Sequence, residues 1–285
     1  MSGEMASSGE YTSKQDDGAR AERKQRRLES ILRELESVLV AFSGGVDSAY
    51  LAVTAHRTLG NAALAVTGVS PSYPAYQRRM AERVVADFGV PHLFIETREM
   101  ESEAYRANNA DRCFHCKNEL FTRLSQLAAE RGFRCVIDGS NADDRSDFRP
   151  GRQAARQLGV RSPLEEAELG KEEIRYLSRR AALPTAGEPA SACLSSRIPY
   201  RTPITVEKLR TVEKGEEILR GMGFYHFRVR HHGQLVRLEF APGEMPRALT
   251  PEMMTCLVDR FKQLGYTFVT VDLQGYRTGS LTEAL

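Results

Sequence analysis

The stretch V-L-V-A-F-S-G-G-V-D-S at residues 38–48 constrains the fold of this chain more than any other. Its apolar residues lead directly into Ser-Gly-Gly, and a helix-compatible segment follows from Ser48 to Leu59. An apolar run without alternation is typical of a strand that is covered on both faces, as in a parallel sheet. A junction of strand, glycine loop and helix gathers free backbone N–H groups into an anion site.

The loop residues suit a phosphate ligand. Glycines let the backbone approach a phosphate closely, serine hydroxyls donate to it, and an aspartate can hold Mg²⁺. The spacing matches neither G-x-x-x-x-G-K-[ST] nor G-x-G-x-x-G. S-G-G-x-D-S after an apolar strand resembles the loop of the ATP-pyrophosphatase (PP-loop) superfamily, which splits ATP between the α and β phosphates. An ordinary Ser-Gly turn in a Rossmann-like domain is the alternative. The predicted ATP contacts here are Ser43, Gly44, Gly45, Val46, Asp47 and Ser48.

Composition narrows the class of protein. The 41% apolar content suits a globular protein, and no apolar stretch reaches the length of a membrane span. The first nineteen residues lack the apolar core of a signal peptide, and the chain has five cysteines. We therefore expect a reducing cytoplasm, no disulfide framework and no membrane partner. A net charge of +2 disfavours nucleic acid as a partner.

Further strands alternate with helical stretches, and we predict them at Ala63–Ser70, His92–Glu96 and Arg134–Asp138. This alternation predicts an α/β fold with a doubly wound parallel sheet. Ligands of such sheets bind at the carboxyl ends of the strands. The loop after the fourth strand, D-G-S-N-A-D-D, is either part of this site or a surface turn. The additional predicted nucleotide contacts are Gly68, Ser70, Gly139, Asp144 and Arg149.

The chain is expected to divide into three parts. Residues 1–18 are predicted to form a disordered tail, residues 19–203 a PP-loop domain, and residues 204–285 a smaller C-terminal α+β domain with an αββαβ pattern. Within the last part, Arg228 and Arg230 share one face of a strand. Paired arginines suit an anionic ligand, and solubility alone is the alternative.

Five cysteines separate into two sets. Cys135 and Cys256 are predicted core residues. Cys113 and Cys116, just before a predicted helix at residues 118–130, join Cys193 in a set of three. Three thiolates could hold a [4Fe-4S] cluster with one open iron, or zinc with His115 or another group as the fourth ligand.

Several segments together resemble the LarE family, PP-loop sulfur transferases that make the nickel-pincer nucleotide of lactate racemase. The resemblance covers about residues 28–281, and its most specific segment is S-A-C-L-S-S-R-I-P-Y. The segments that carry it are residues 43–48, 138–151, 191–200, 227–230 and 271–279.

The resemblance implies the chemistry. ATP and Mg²⁺ would adenylate a carboxylate of a pyridinium dicarboxylate mononucleotide, and sulfur would then displace AMP. Cys193 matches the sulfur-donor position, which sacrificial members convert to dehydroalanine. Arg228 and Arg230 match a pair associated with the substrate phosphate, and Glu216 matches an acidic position there. Ser195 and Arg197 are further predicted substrate contacts, and the predicted catalytic residues are Cys193, Asp47 and Glu216.

The sequence departs from the sacrificial pattern at Cys113 and Cys116. A three-cysteine branch of the family carries sulfide on a [4Fe-4S] cluster, and the sequence favours that branch. The implied partners are sulfide or another sulfur donor, nickel-insertion and lactate racemase maturation proteins, and further copies of this chain in a homo-oligomer.

Other functions remain open at this point. A PP-loop tRNA thiolase would need an extended basic surface, which the charge balance disfavours. An amide-forming PP-loop ligase would use the cysteines for structural zinc. A module that binds ATP without cleaving it is the third alternative.

Overall fold

The computed structural model describes residues 7–146, 150–189 and 192–277 of the chain. Its strands are β1 (Val38–Ala41), β2 (Ala63–Val69), β3 (His92–Glu96), β4 (Cys135–Ile137), β5 (Phe227–His232), β6 (Leu235–Phe240) and β7 (Phe268–Val271). Its helices are α1 (Ser7–Leu35), α2 (Val46–Leu59), α3 (Ala75–Phe88), α4 (Glu103–Arg106), α5 (Arg112–Arg131), α6 (Pro150–Gln157), α7 (Pro163–Glu166), α8 (Lys171–Arg180), α9 (Val206–Gly221), α10 (Met245–Ala248) and α11 (Pro251–Gln263).

Contacts divide the chain into two units. The first contains Met1–Val69, Tyr76–Thr97 and Lys117–Ser191, and the second contains Ser70–Ala75, Arg98–Cys116 and Ala192–Leu285. The three predicted segments with boundaries at residues 18 and 203 remain a prediction. Within the described part of the predicted tail, α1 already begins at Ser7. Residues 7–17 contain no proline, so every backbone N–H of this stretch can take part in helical hydrogen bonds.

The first unit contains a parallel sheet of strand order β3-β2-β1-β4. Val38 and Val40 pack in one core cluster and Leu39 packs in another, so β1 is covered on both faces. Helices α1, α2 and α8 contribute to the first cluster, and α5 and α6 contribute to the second. The predicted α/β fold with a parallel sheet is therefore confirmed. The strand order reverses between β1 and β4, which is where such sheets bind ligands.

The second unit contains a mixed sheet of order β5-β6-β7, with β5 antiparallel and β7 parallel to β6. Val229, Leu238 and Phe240 from this sheet form a core with Leu219 of α9 and Phe261 of α11. This agrees with the predicted α+β pattern, to which the structure adds the short helix α10.

Two sequence-based expectations about the cysteines were wrong. Helix α5 begins at Arg112, so Cys113 and Cys116 lie in its first turns rather than before it. No residue of Cys-Phe-His-Cys breaks a helix, and Arg112 is anchored by side-chain hydrogen bonds. Cys256 is exposed, because α11 turns Leu257 and Phe261 toward the core instead.

None of the helices within the described residues combines the length and apolarity that a bilayer crossing requires.

Candidate functional site

The loop between β1 and α2 is braced by its two serines. Ser48 Oγ accepts from the Ser43 backbone N–H at 3.2 Å and donates to the Gly45 carbonyl at 3.1 Å. The Ser43 and Ser48 hydroxyls lie 3.0 Å apart. Gly45 is the N-cap residue of α2 and makes no side-chain capping bond. The amides at this helix start therefore have no capping side chain, which suits an anion.

Two glycines are required by close packing around this loop. Gly44 has φ +75°, and a Cβ there would lie 2.8 Å from the Gln77 carbonyl oxygen. A Cβ on Gly139 would lie 2.9 Å from the backbone nitrogen of Ser48. The loops that follow β1 and β4 are thus in contact at Gly139, and its contact with ATP stays a prediction. A Cβ on Gly68 would instead meet Leu120 at 2.7 Å, so Gly68 serves internal packing.

Asp47 at the start of α2 forms an ion pair that the sequence did not predict. Lys171, the first residue of α8, donates from Nζ to Asp47 Oδ2. Asp47 Oδ1 is buried and has no hydrogen-bond partner among the described residues. Burial raises the pKa of Asp47, Lys171 lowers it, and Asp144 raises it further, with a net upward shift. A cation placed at Oδ1 would satisfy this orphaned oxygen.

The acidic residues after β4 mainly organise their own turn. Asp138 accepts from the Ser140 backbone N–H at 3.1 Å and from Ser162 Oγ at 2.8 Å. Asp144 Oδ2 accepts from the Asn141 backbone N–H at 3.1 Å. This is the turn chemistry expected of such residues. Arg149, predicted to contact a phosphate, lies outside the described residues.

Ser70, predicted to contact ATP, belongs to the second unit. Its hydroxyl donates to Glu99 Oε1, which also accepts from Ser72 Oγ at 2.9 Å. Glu99 is buried, and its Oε2 has no hydrogen-bond partner among the described residues. Ser70 therefore helps to hold a buried carboxylate.

Cys113, Cys116 and Cys193 all belong to the second unit and all are half-buried. Arg112 lies beside two of them. Burial disfavours its charge, but Cys193 and Cys113 outweigh burial and raise its pKa. Its Nη1 donates to the Ser195 carbonyl at 3.0 Å, and its Nη2 lies 3.9 Å from Cys113 Sγ.

The third cysteine, Cys116, acts on Tyr105, as Cys193 also does. Burial raises the pKa of Tyr105, and Cys193 and Cys116 raise it further. Its hydroxyl lies 2.6 Å from Ser195 Oγ, which is fully buried. Among the described residues, no three His, Cys, Asp or Glu side chains are placed to hold a metal ion. The thiols therefore act electrostatically on Arg112 and Tyr105, and within the described residues they do not form a ligand set as they stand.

The predicted substrate residues form a buried charge network in the second unit. Arg197 Nε donates to Glu216 Oε1 at 2.7 Å, and Arg220 Nη2 reaches Glu216 Oε2 at 3.3 Å. Burial alone would raise the pKa of Glu216, but Arg197 and its neighbouring arginines lower it overall. Arg197 Nη1 also donates to the Cys193 carbonyl at 3.1 Å. The network is thus joined to Cys193, the predicted sulfur donor.

Arg228 and Arg230 belong to the same network. Both are buried, which rules out a solubility role for the pair. Arg230 makes a two-pronged ion pair with Glu239 at 2.9 Å and donates to the Ser196 carbonyl at 2.8 Å. Burial, followed by Arg197, lowers the pKa of Arg228. The positive charges of Arg197, Arg228 and Arg230 therefore lie close enough to repel one another.

Sequence reasoning missed Lys171, Arg112 and Tyr105. Each contacts a residue that is distant in sequence. Lys171, for example, lies 124 residues from Asp47 along the chain. No motif in the sequence around Lys171 indicated its role.

Comparisons with known proteins agree with this geometry. The model of the asparagine synthase family matches residues 25–184. The chain is 31% identical, over 92% of its length and 95% of the relative's, to pyridinium-3,5-bisthiocarboxylic acid mononucleotide synthase of Lactiplantibacillus plantarum. It is 41% identical, over 93% of its length and 98% of the relative's, to an uncharacterized protein of Synechocystis. A more distant similarity, 25% identity over 64% of the chain and 63% of the relative, is to a glutamine-hydrolyzing GMP synthase chain of Archaeoglobus fulgidus.

Proposed function

We propose a function on one premise: this chain belongs to the LarE family of ATP-using PP-loop sulfur transferases. The proposed reaction replaces carboxylate oxygen by sulfur in a pyridinium-3,5-dicarboxylate mononucleotide, giving thiocarboxylates. The observation that carries the proposal is the similarity to pyridinium-3,5-bisthiocarboxylic acid mononucleotide synthase, which extends over 92% of the chain.

In the first half-reaction, a substrate carboxylate oxygen attacks the α-phosphorus of ATP. The bond to the bridging oxygen breaks, pyrophosphate leaves, and an acyl-adenylate remains. The amides at the start of α2 and the Ser43 and Ser48 hydroxyls are suited to hold the departing pyrophosphate. Lys171, already beside the loop, supplies a positive charge for the same purpose.

Asp47 is the proposed ligand of Mg²⁺. Its buried oxygen Oδ1 has no partner within the described part of the chain and fits a hard cation. When bound, Mg²⁺ would neutralise charge on the phosphate oxygens and so assist the departure of pyrophosphate. Lys171 holds the other carboxylate oxygen and keeps Asp47 oriented toward the loop.

The arginine network of the second unit is the proposed site for the phosphate of the substrate nucleotide. Arg197 and Arg228 repel each other, as the lowered pKa of Arg228 indicates. A phosphate dianion beside them would relieve that repulsion. Glu216 fixes Arg197 through a buried ion pair and thereby positions the guanidinium.

In the second half-reaction, a sulfur nucleophile attacks the acyl carbon and AMP leaves with the electrons of the broken C–O bond. We propose the set Cys113, Cys116 and Cys193 as the sulfur-handling residues, possible ligands of a [4Fe-4S] cluster. Their shared environment around Arg112 and Tyr105 supports this. As placed, the thiols do not form a ligand set, so no step here depends on the cluster. Sacrificial use of the Cys193 sulfur is the alternative.

We also propose partner proteins, a cellular compartment and an oligomeric state for this chain. The product would pass to nickel-insertion and lactate racemase maturation proteins, and the chain would act in the cytoplasm as a homo-oligomer. None of the five cysteines is joined in a disulfide, which suits a reducing compartment.

A second candidate function is amide formation on the same adenylate. The match to the asparagine synthase family and the similarity to the GMP synthase of Archaeoglobus fulgidus favour it. In that case ammonia would displace AMP, and Cys193 would be dispensable.

The test measures pyrophosphate release from ATP with the dicarboxylate mononucleotide, without sulfide. We expect release that requires this substrate and Mg²⁺, and that persists in Cys193→Ala because adenylation precedes sulfur transfer. Release of ADP and phosphate, or equal release without the substrate, would contradict the proposal.

A further inference from the structure

Two side chains of the parallel sheet, Thr67 on β2 and His92 on β3, hold the residue that precedes the ATP loop, which comprises residues 43–48. Thr67 is buried, and its hydroxyl donates from Oγ1 to the Phe42 carbonyl at 2.7 Å. The Nε2 atom of His92 lies 2.9 Å from the same hydroxyl. All three residues belong to the first unit, and none of them takes part in the proposed reaction steps.

The strand register brings the two side chains together. His92 pairs with Ala65, two residues before Thr67, so the side chains of His92 and Thr67 lie on the same face of the sheet. The His92 ring also meets the rings of Phe42 and Phe94 edge-on, with 5.6 and 4.5 Å between ring centres. This packing fixes the orientation of the imidazole.

The protons of this arrangement can be assigned. A carbonyl oxygen only accepts, so the single hydroxyl proton of Thr67 goes to Phe42. The hydroxyl oxygen then accepts from His92, which places an imidazole proton on Nε2. Burial, partly offset by Glu82, lowers the pKa of His92 to about 4. The ring is therefore neutral at pH 7, and the proton on Nε2 is the only one that its nitrogens carry.

The peptide group between Phe42 and Ser43 is held at both ends. On its amide side, the Ser43 N–H donates to Ser48 Oγ at 3.2 Å, and that hydroxyl donates to the Gly45 carbonyl at 3.1 Å. A peptide group is planar, so fixing the direction of its carbonyl also fixes the direction of its N–H. The two side chains on β2 and β3 therefore act on the shape of the ATP loop, although neither belongs to it.

A buried threonine needs a hydrogen-bond partner, and this need is the ordinary reason for a contact such as the one from Thr67. It does not account for the donors of this arrangement, which all point in one direction. They run from the His92 ring through Thr67 and the peptide group to the carbonyl of Gly45. Hydrogen bonds aligned in this way strengthen one another, so the whole chain favours a single shape of the loop.

We propose, on the premise that this loop binds ATP, that Thr67 and His92 are positioning residues that hold the ATP loop in its binding shape before ATP arrives. A loop that is ordered in advance loses less conformational freedom on binding, so its affinity for the nucleotide is higher. Without the Thr67 hydroxyl, the peptide group at Ser43 can rotate, and ordering the loop then opposes binding.

The experiment is calorimetric titration of the full chain with Mg²⁺ and α,β-methylene-ATP, which cannot be split between the α and β phosphates. Thr67→Val removes the hydroxyl and retains the branched shape of the side chain, and we expect it to raise the Kd about tenfold. Thr67→Ser retains the hydroxyl and should bind the analogue as the parent chain does. A role in packing alone would give the opposite order.

Thr185→Val is the matched control. Thr185 is also buried in the first unit, but its hydroxyl has no hydrogen-bond partner within the described residues. The Kd of this variant should equal that of the parent chain. For His92, the replacement His92→Gln provides another side-chain N–H and should bind the analogue more tightly than His92→Leu, which has no donor.

The proposal fails if Thr67→Val binds the analogue as tightly as the parent chain, or if Thr185→Val loses as much affinity as Thr67→Val. Equal affinities of the two His92 variants would overturn the role of His92. Failure of the proposed function gives a different result, because the parent chain itself would then not bind the analogue.

Discussion

At the scale of single residues, the ATP site depends on how Asp47 is held. Burial disfavours its ionised form, and Lys171 compensates by pairing with one carboxylate oxygen. The second oxygen remains orphaned and oriented for a cation. Lys171 is thus a positioning residue for Asp47, and it becomes a candidate phosphate ligand once ATP is bound.

Lys171→Met tests this pairing. Lys171 lowers the pKa of Asp47, so its loss should raise that pKa and move the acid limb of the rate profile to higher pH. Loss of a charge at the departing pyrophosphate should also slow its release about a hundredfold. The measurement is the pH dependence of pyrophosphate release, with exposed Lys262→Met as the control. An unshifted acid limb would show that Lys171 does not act through Asp47.

Glu216→Gln tests the buried network. The arginines around Glu216 lower its pKa in the folded chain, so its contribution to stability is present above the unfolded value of about 4.3 and is lost as pH falls through the lowered folded value. At pH 7 the substitution should destabilise the chain by about 3 kcal/mol, because Arg197 loses its buried partner.

Urea unfolding across pH measures this effect, with the exposed neighbour Glu217→Gln as control. The deficit of Glu216→Gln should shrink as the pH falls below about 4. A deficit that is constant with pH would mean that packing, rather than charge, accounts for it.

At the scale of elements, the strand–loop–helix unit was predictable because its signals are local. The apolar run, the paired glycines and the following helix lie within one continuous stretch, and the structure contains them in that order. The start of α5 was not predictable, because Arg112 is fixed by Asn108 and by the distant Ser195 carbonyl. The exposure of Cys256 follows from which face of α11 meets the sheet, which its own sequence leaves open.

The site was predicted less completely than the fold. The loop and Gly139 come together because both follow neighbouring parallel strands, which is a property of the fold class. Lys171, Arg112 and Tyr105 act through contacts between segments far apart in sequence. Such contacts depend on packing and carry no local pattern.

Gly44→Ala tests the loop as an element. The change places a side chain at φ +75° and a Cβ 2.8 Å from the Gln77 carbonyl oxygen. Gly89→Ala is a matched control, because Gly89 has φ +65° and nothing within 4 Å of the added Cβ. The free energy of unfolding of the control should fall by about 1 kcal/mol, the cost of placing alanine in a left-handed backbone conformation. The free energy of unfolding of Gly44→Ala should fall further, because its Cβ also meets the Gln77 carbonyl oxygen.

Thermal unfolding with and without Mg²⁺ and α,β-methylene-ATP is the measurement for both variants. The analogue should stabilise Gly89→Ala as it does the parent chain and should fail to stabilise Gly44→Ala. Equal stabilisation of both variants would mean that the loop does not hold the triphosphate.

At the scale of the whole molecule, the two units contain the residues for different parts of the proposed chemistry. The first unit contains the phosphate loop with Asp47 and Lys171. The second contains the three cysteines and the arginine network. ATP-dependent activation and sulfur handling in one chain are what a sulfur transferase of the LarE family requires.

The most direct test of this account is mass spectrometry of the pyridinium dicarboxylate mononucleotide after anaerobic incubation with the protein, ATP, Mg²⁺ and sulfide. We predict a mass increase equal to exchange of one oxygen for sulfur at each carboxylate, with one AMP formed per exchange. Cys193→Ala should abolish the exchange while pyrophosphate release persists. AMP formation with an amide product, or with no sulfur in the product of the parent chain, would contradict the sulfur-transfer function.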